Sequence, residues 1–186
     1  MLLFLLLACP STDSAPRTPP AGRVDAPVAP VKRAADPEAF CDSRGGQAYV
    51  WPEVDGGAAP AAAAGWTWVN VWATWCKPCL SEMPMIQEWA KRLATAQPGF
   101  EQRFLSVDNK PTDLSSFMVL HPEFPKSPRL ADVTKLSPWL ESIGLDASAT
   151  LPLHLFLKPD QTIACVRNGA VGENDYDAIL AVTQGR

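Results

Sequence analysis

Two histidines in 186 residues, no cluster of lysine or arginine and no internal repeat mark this chain at the outset, and each shortage removes a class of function. His121 and His154 are not spaced like finger ligands, so no second ligand pair exists to complete a zinc centre. A formal net charge of -4 without a basic stretch argues against nucleic acid as a partner. Residues 11–36 lack both the helical and the strand period and are rich in Pro and Ala with scattered charges. They read as an extended tether, reaching tens of Å at roughly 3 Å per residue where polyproline-like, and they hide no second domain. What remains, residues 40–186, is one domain of ordinary size with ample apolar content for a core.

Against this background stands Trp75-Cys76-Lys77-Pro78-Cys79, directly behind the apolar run Trp66 to Ala73. A Cys-x-x-Cys pair closes a disulfide within one turn of backbone. A helix starting at Cys76 would aim its unpaired N–H groups and positive dipole end at that sulfur, stabilising the thiolate. In such surroundings a thiol pKa of about 8.5 falls to about 3.5–7.5. Lys77 adds a positive charge, and Pro78 sits in the first turn, where its missing N–H costs nothing. Cys76, at the exposed helix start, is expected to attack a substrate disulfide, and Cys79, one turn inside, to resolve the mixed disulfide. A structural disulfide and half of a zinc site are the alternatives that Cys-x-x-Cys leaves open.

The segment Val69-Asn70-Val71-Trp72-Ala73-Thr74-Trp75-Cys76-Lys77-Pro78-Cys79-Leu80-Ser81-Glu82-Met83-Pro84 closely resembles the active-site stretch of thioredoxin-like proteins, in particular the bacterial membrane-anchored branch described as TlpA/ResA-like. The resemblance covers residues 40–186. Phe104 to Asp108 looks like the next strand, Thr150 to Leu157 like the cis-proline strand, and Thr162 to Gly169 like the hairpin strand before the last helix. It implies an α/β, thioredoxin-like fold: a mixed sheet flanked by helices, with an N-terminal extension and a helical insertion before the cis-proline strand. Pro84 stands where the family kinks its helix, and Pro152 where a cis-proline faces the dithiol and turns the backbone of Leu151 toward a bound peptide. A trans proline opening a strand is the plainer reading of Pro152.

The departures carry information too. Asn70 occupies the place of the buried acid of thioredoxin proper, so proton handling cannot use that carboxylate. Glu82, six residues after Cys76 and close to two turns along the same helix, is the nearest substitute, with a solvated helix carboxylate as the alternative. Leu151 replaces the Thr often found before the cis-proline, and Asp160-Gln161 stands where a turn with Gly is usual.

The expected order is a strand at Gln47 to Trp51, a loop, a strand at Trp66 to Ala73, a helix at Cys76 to Ala96 and a strand at Gln102 to Asp108. Helical stretches at Asp113 to Leu120 and Ala131 to Ile143, the two hairpin strands and a helix at Asn174 to Thr183 complete it. Trp66, Trp68 and Trp72 alternate in a strand and should be core, with Trp75 beside the dithiol. His121 and His154 read as packed or solvent-exposed side chains rather than catalytic ones.

At the N-terminus, Leu2 to Ala8 is almost purely apolar, and Leu6-Leu7-Ala8-Cys9 resembles the lipobox at which bacterial lipoproteins are cleaved and lipidated. Residues 1–8 are then a signal peptide, Cys9 carries lipid and 9–39 form the tether. A soluble chain with an odd apolar start is the alternative. Setting aside Cys9, Cys76 and Cys79 leaves Cys41 and Cys165, a pair that could bridge in a disulfide-permitting compartment. Cys165 as a simple buried hydrophobe is the other reading.

The function expected from this resemblance is an extracytoplasmic thiol:disulfide oxidoreductase, lipid-anchored and facing the periplasm. It would act as a reductant of protein disulfides, with apocytochrome c thiols among its substrates and a membrane electron donor of thiol-transfer type. No cofactor is expected beyond the Cys76–Cys79 couple, and no resident metal. The same residues would serve a disulfide oxidase, differing only in potential, or a Cu(I) carrier, since two thiolates suit that ion.

Overall fold

The computed structural model describes residues 36–55 and 59–185. The signal peptide over residues 1–8, the lipidation at Cys9 and all but residues 36–39 of the tether that the sequence leads one to expect lie outside the described residues. Among the described residues no helix is long and apolar enough to cross a membrane.

The sheet is built around β1 (Thr67–Trp72), a run of aromatic and β-branched residues interrupted by Asn70 and buried at every position. A strand buried on both faces belongs in a sheet centre, and β1 is central in the order β2-β1-β3-β4. β2 (Glu101–Ser106) runs parallel to β1 and is reached through α2 (Lys77–Ala96), as a parallel neighbour requires. β3 (Leu153–Leu157) lies antiparallel on the other side, and β4 (Ile163–Asn168) pairs antiparallel with β3. Where the chain enters β1, Gly65 passes against Gly99: a Cβ on Gly65 would lie 2.6 Å from the Gly99 carbonyl carbon, so only glycine fits.

Register decides which side chains meet. Trp68 pairs with Phe156 and Asn70 with His154, so by alternation these four share one face of the sheet. A short helix α1 (Pro37–Phe40) covers part of that face, its Phe40 ring edge-on to Phe156 at 5.9 Å. Between β2 and β3 lie α3 (Pro111–Leu120), a 3-10 turn at Val133–Lys135 and α4 (Leu136–Ser142), which form the expected helical insertion; α5 (Tyr176–Thr183) closes the domain.

Two expected elements differ. Gln47 to Trp51 is not a strand: Ala48 makes one isolated bridge to Thr162, with Tyr49 N donating to Gln161 O and Ile163 N to Gln47 O. Gly45-Gly46 before it and Pro52 after it stop the ladder from growing. The helix expected over Ala131 to Ile143 is split, because Pro138 has no N–H for an α-helical bond back to Thr134 and is tolerated only in the first turn of a helix beginning at Leu136. By contrast α2 runs unbroken through Pro84.

Candidate active site

The strand-to-helix junction after β1 puts the two cysteines at the start of α2. Cys76 N donates to Ala73 O at 3.0 Å, closing a tight turn, and Cys76 becomes the N-cap residue. Its Sγ accepts the N–H of Cys79 at 3.3 Å, as a capping oxygen would in an ordinary helix. Cys76 and Cys79 are disulfide-bonded, with Cα atoms 5.3 Å apart. Lys77 and Pro78 are exposed in the first turn, and Trp75 is 65 % exposed. Cys76 departs from the expected exposed position: it is only 4 % exposed, and Cys79 is fully buried. Cys76 is reached through a cleft of about 600 Å³ that it lines together with Trp75, Pro78 and Leu151.

The Leu151–Pro152 peptide is cis. Pro152 O accepts the N–H of Gly169, which ties the start of β3 to the end of β4 and holds the Leu151 backbone at the cleft wall.

Beneath the dithiol lies a polar group that the sequence only partly indicates. Glu82 is buried, not solvated: Oε1 accepts from Asn70 Nδ2 at 3.2 Å and Oε2 from the N–H of Val171 at 2.9 Å. It stands one turn beyond Cys79 on α2, where positions i and i+3 are neighbours. His154 closes the group. The Trp68 ring N–H, which can only donate, points at His154 Nδ1 from 3.2 Å, so the imidazole proton is assigned to Nε2. Nε2 lies 3.3 Å from Glu82 Oε1 but off the line of a good hydrogen bond, so this is a close electrostatic contact. Asn70 Nδ2 lies 3.2 Å from His154 Nδ1. The packed-histidine reading of His154 is thus half of its story: it is fully buried, yet it touches the carboxylate next to the dithiol. Only its pairing with Asn70 across the sheet, invisible without register, could have signalled this. His121 is remote from this group, stacked on Phe117 with Nδ1 3.2 Å from Glu123.

Asp108 is a second residue the sequence does not mark. Fully buried two residues beyond β2, it accepts from Thr74 N at 3.0 Å, Thr74 Oγ1 at 2.6 Å and Ser106 Oγ at 2.7 Å. These bonds fix the residue two before Cys76. The buried Arg129 holds the Asp108 carbonyl from Nη1 at 2.8 Å while pairing with Asp55.

Away from the dithiol, Cys41 and Cys165 are bonded, with Cα atoms 5.4 Å apart and Cys165 fully buried in β4.

No family model matches the chain. Among solved structures, a thiol:disulfide interchange protein of the thioredoxin family from Chlorobium tepidum TLS is 22% identical with a TM-score of 0.56, covering 76% of this chain and 98% of its own. Another Chlorobium tepidum protein, described as a thiol:disulfide interchange protein DsbE, is 18% identical with a TM-score of 0.57, over 77% and 96%. A secreted thiol-disulfide isomerase from Corynebacterium glutamicum is 22% identical with a TM-score of 0.51, over 65% and 72%. Together with the sheet order, the cis-proline and the cysteine pair at the head of α2, this likeness shows that the chain has the thioredoxin-like fold.

Proposed function

We propose that the protein is a thiol:disulfide oxidoreductase whose redox centre is the Cys76–Cys79 pair. The observation that carries this reading is Cys76 Sγ at the N-cap of α2, accepting a backbone N–H where helix-end donors favour negative charge. In the reduced protein the Cys76 thiolate attacks one sulfur of a substrate disulfide, and the other leaves as a thiolate that takes up a proton. Cys79 then gives its proton to the neighbouring Glu82 carboxylate and attacks Cys76, releasing the second substrate thiol. The protein dithiol ends as the disulfide and the substrate disulfide as two thiols. Trp75, Lys77 and Pro78 shape the turn, and Leu151 with Pro152 forms the wall along which an extended substrate pairs. Three structural neighbours are named as interchange or isomerase proteins, which supports the same chemistry.

On this reading the protein works in the bacterial cell envelope as a reductant of protein disulfides, apocytochromes c among them. It is held to the membrane by lipid on Cys9 and re-reduced by a membrane thiol-transfer donor. Insulin reduction, run beside Cu(I) titration of the reduced protein, tests it: turnover lost in Cys76→Ser is the expected result, and stoichiometric copper binding without turnover would make it a carrier instead. The equilibrium potential against glutathione sets the direction, with about 30 mV equal to 1.4 kcal/mol. Cys9→Ser should move the protein from the membrane to the soluble periplasmic fraction; unchanged membrane association would remove the lipid anchor.

A further inference from the structure

The cleft at Cys76 has a chemical character that the redox reading alone does not require. Its volume of about 600 Å³ exceeds the roughly 480 Å³ of the cleft under α3, which contains no cysteine. Volumes of this size suit specific ligands. Its walls are Val107 behind β2, Val133 and Leu136 from the insertion, and Ala149 and Leu151 on the approach to the cis-proline. Val133, Leu136, Ala149 and Leu151 are each only partly covered, leaving apolar surface facing the space beside the sulfur. Lys77, at the mouth, is the one charged side chain in the lining. Neither the N–H nor the C=O of Leu151 makes a backbone hydrogen bond among the described residues, so an extended peptide can pair there with its side chains directed into the cleft.

Resting on the redox reading of Cys76–Cys79, we propose that this cleft selects protein disulfides in which the attacked cysteine is flanked by a bulky aliphatic or aromatic residue, with Val133, Leu136 and Leu151 as the specificity-determining side chains. The reacting sulfur is part of the cleft wall, so whatever it attacks must bring its neighbouring residue into this space. An aliphatic or aromatic neighbour removes apolar surface from water on both partners. A polar neighbour loses its own hydration against the apolar side chains, where the polar groups of the lining are the exposed Thr150 and Lys77. The electron flow is that of disulfide exchange: the protein dithiol is oxidised and the peptide disulfide is reduced to two thiols.

The test uses the reduced full chain and short disulfide-bonded peptides differing only in the residue beside the cysteine, Leu, Phe, Ser or Asp, with hydroxyethyl disulfide as a probe that has no side chain. Leu and Phe peptides should exceed Ser and Asp peptides about ten- to hundredfold in kcat/KM. Leu136→Asp should abolish that preference, read as the ratio of Leu-peptide to Ser-peptide kcat/KM with the hydroxyethyl disulfide rate of the same variant as reference, and Leu136→Ala, the milder variant should the first not fold, should reduce it. Equal rates across the peptides, or a preference untouched by a folded Leu136 variant, would overturn the selectivity but leave the redox reading standing. Failure of every disulfide, the hydroxyethyl probe included, would remove both.

Discussion

Cys76 meets solvent through one cleft and Cys79 not at all, which separates two thiols only three positions apart. In the reduced protein, alkylation at mildly acidic pH should therefore modify Cys76 well before Cys79, as peptide mapping would reveal; faster labelling of Cys79 would reverse their assigned roles. His154 offers a different kind of test. Its Nδ1 takes the Trp68 ring N–H and lies against Asn70 Nδ2, so His154→Leu strands buried donors that water cannot reach. Each stranded group costs about 1–3 kcal/mol, and the urea midpoint should fall by the equivalent of about 2–4 kcal/mol. A loss under 1 kcal/mol would mean that these contacts contribute little. Asn70, which sits where thioredoxin proper has an acid, has the complementary part: its amide holds the carboxylate that α2 supplies as Glu82.

At the scale of elements, the turn joining β3 to β4 shows how a local sequence sets a local charge. Asp160 Oδ1 accepts both the hydroxyl of Thr162, at 2.6 Å, and its N–H, at 3.0 Å, and these donors hold the Asp160 carboxyl below the ordinary carboxylate range. A depressed folded-state pKa gives stability that is present above the unfolded value and lost as pH falls through the folded one. Thr162→Val removes the hydroxyl, so the Asp160 carboxyl should titrate at higher pH in a carbon-detected NMR titration; an unmoved titration would deny the hydroxyl its part. In the same turn Gln161 has φ 65°, a conformation that glycine adopts freely and that a side chain resists. Gln161→Gly should accordingly be neutral or stabilising by up to about 1 kcal/mol in thermal unfolding, despite the flexibility it adds to the unfolded chain. Much of the architecture was legible because its signals are local. The alternating Trp68 and Trp72, the apolar Leu153 to Leu157, and Cys76 with Pro78 at a helix start each announce an element within a few residues. Illegible were Asp108, whose hold on Thr74 spans 34 positions, and the meeting of His154 with Glu82, which needs the β1–β3 register. The strand expected at Gln47 to Trp51 fails for a related reason: its composition suits a strand, but its partners at Thr162 and Ile163 are engaged only at isolated points.

Across the whole molecule, the bond between Cys41 and Cys165 closes a loop with a sequence separation of 124 residues. In a chain-entropy view such closure stabilises by up to about 4–5 kcal/mol, so Cys41→Ser with Cys165→Ser should lower stability by about 2–5 kcal/mol while the domain keeps its fold at moderate temperature. Circular dichroism with denaturant would measure both, and an unchanged midpoint would show that the link constrains nothing. That bond also raises a question of self-recognition. On the proposed function, a protein that opens the disulfides of others must leave this bond intact in its own copies. Exchange requires a thiolate to approach a sulfur nearly in line with the bond it breaks; Cys165 is fully covered within β4 and Cys41 is half-buried, so attack is confined to the Cys41 sulfur. Distinction between self and substrate thus begins before any chemistry, in how far each sulfur can be reached, and a partially unfolded copy, with Cys165 uncovered as well, would forfeit that protection and become prey to its neighbours.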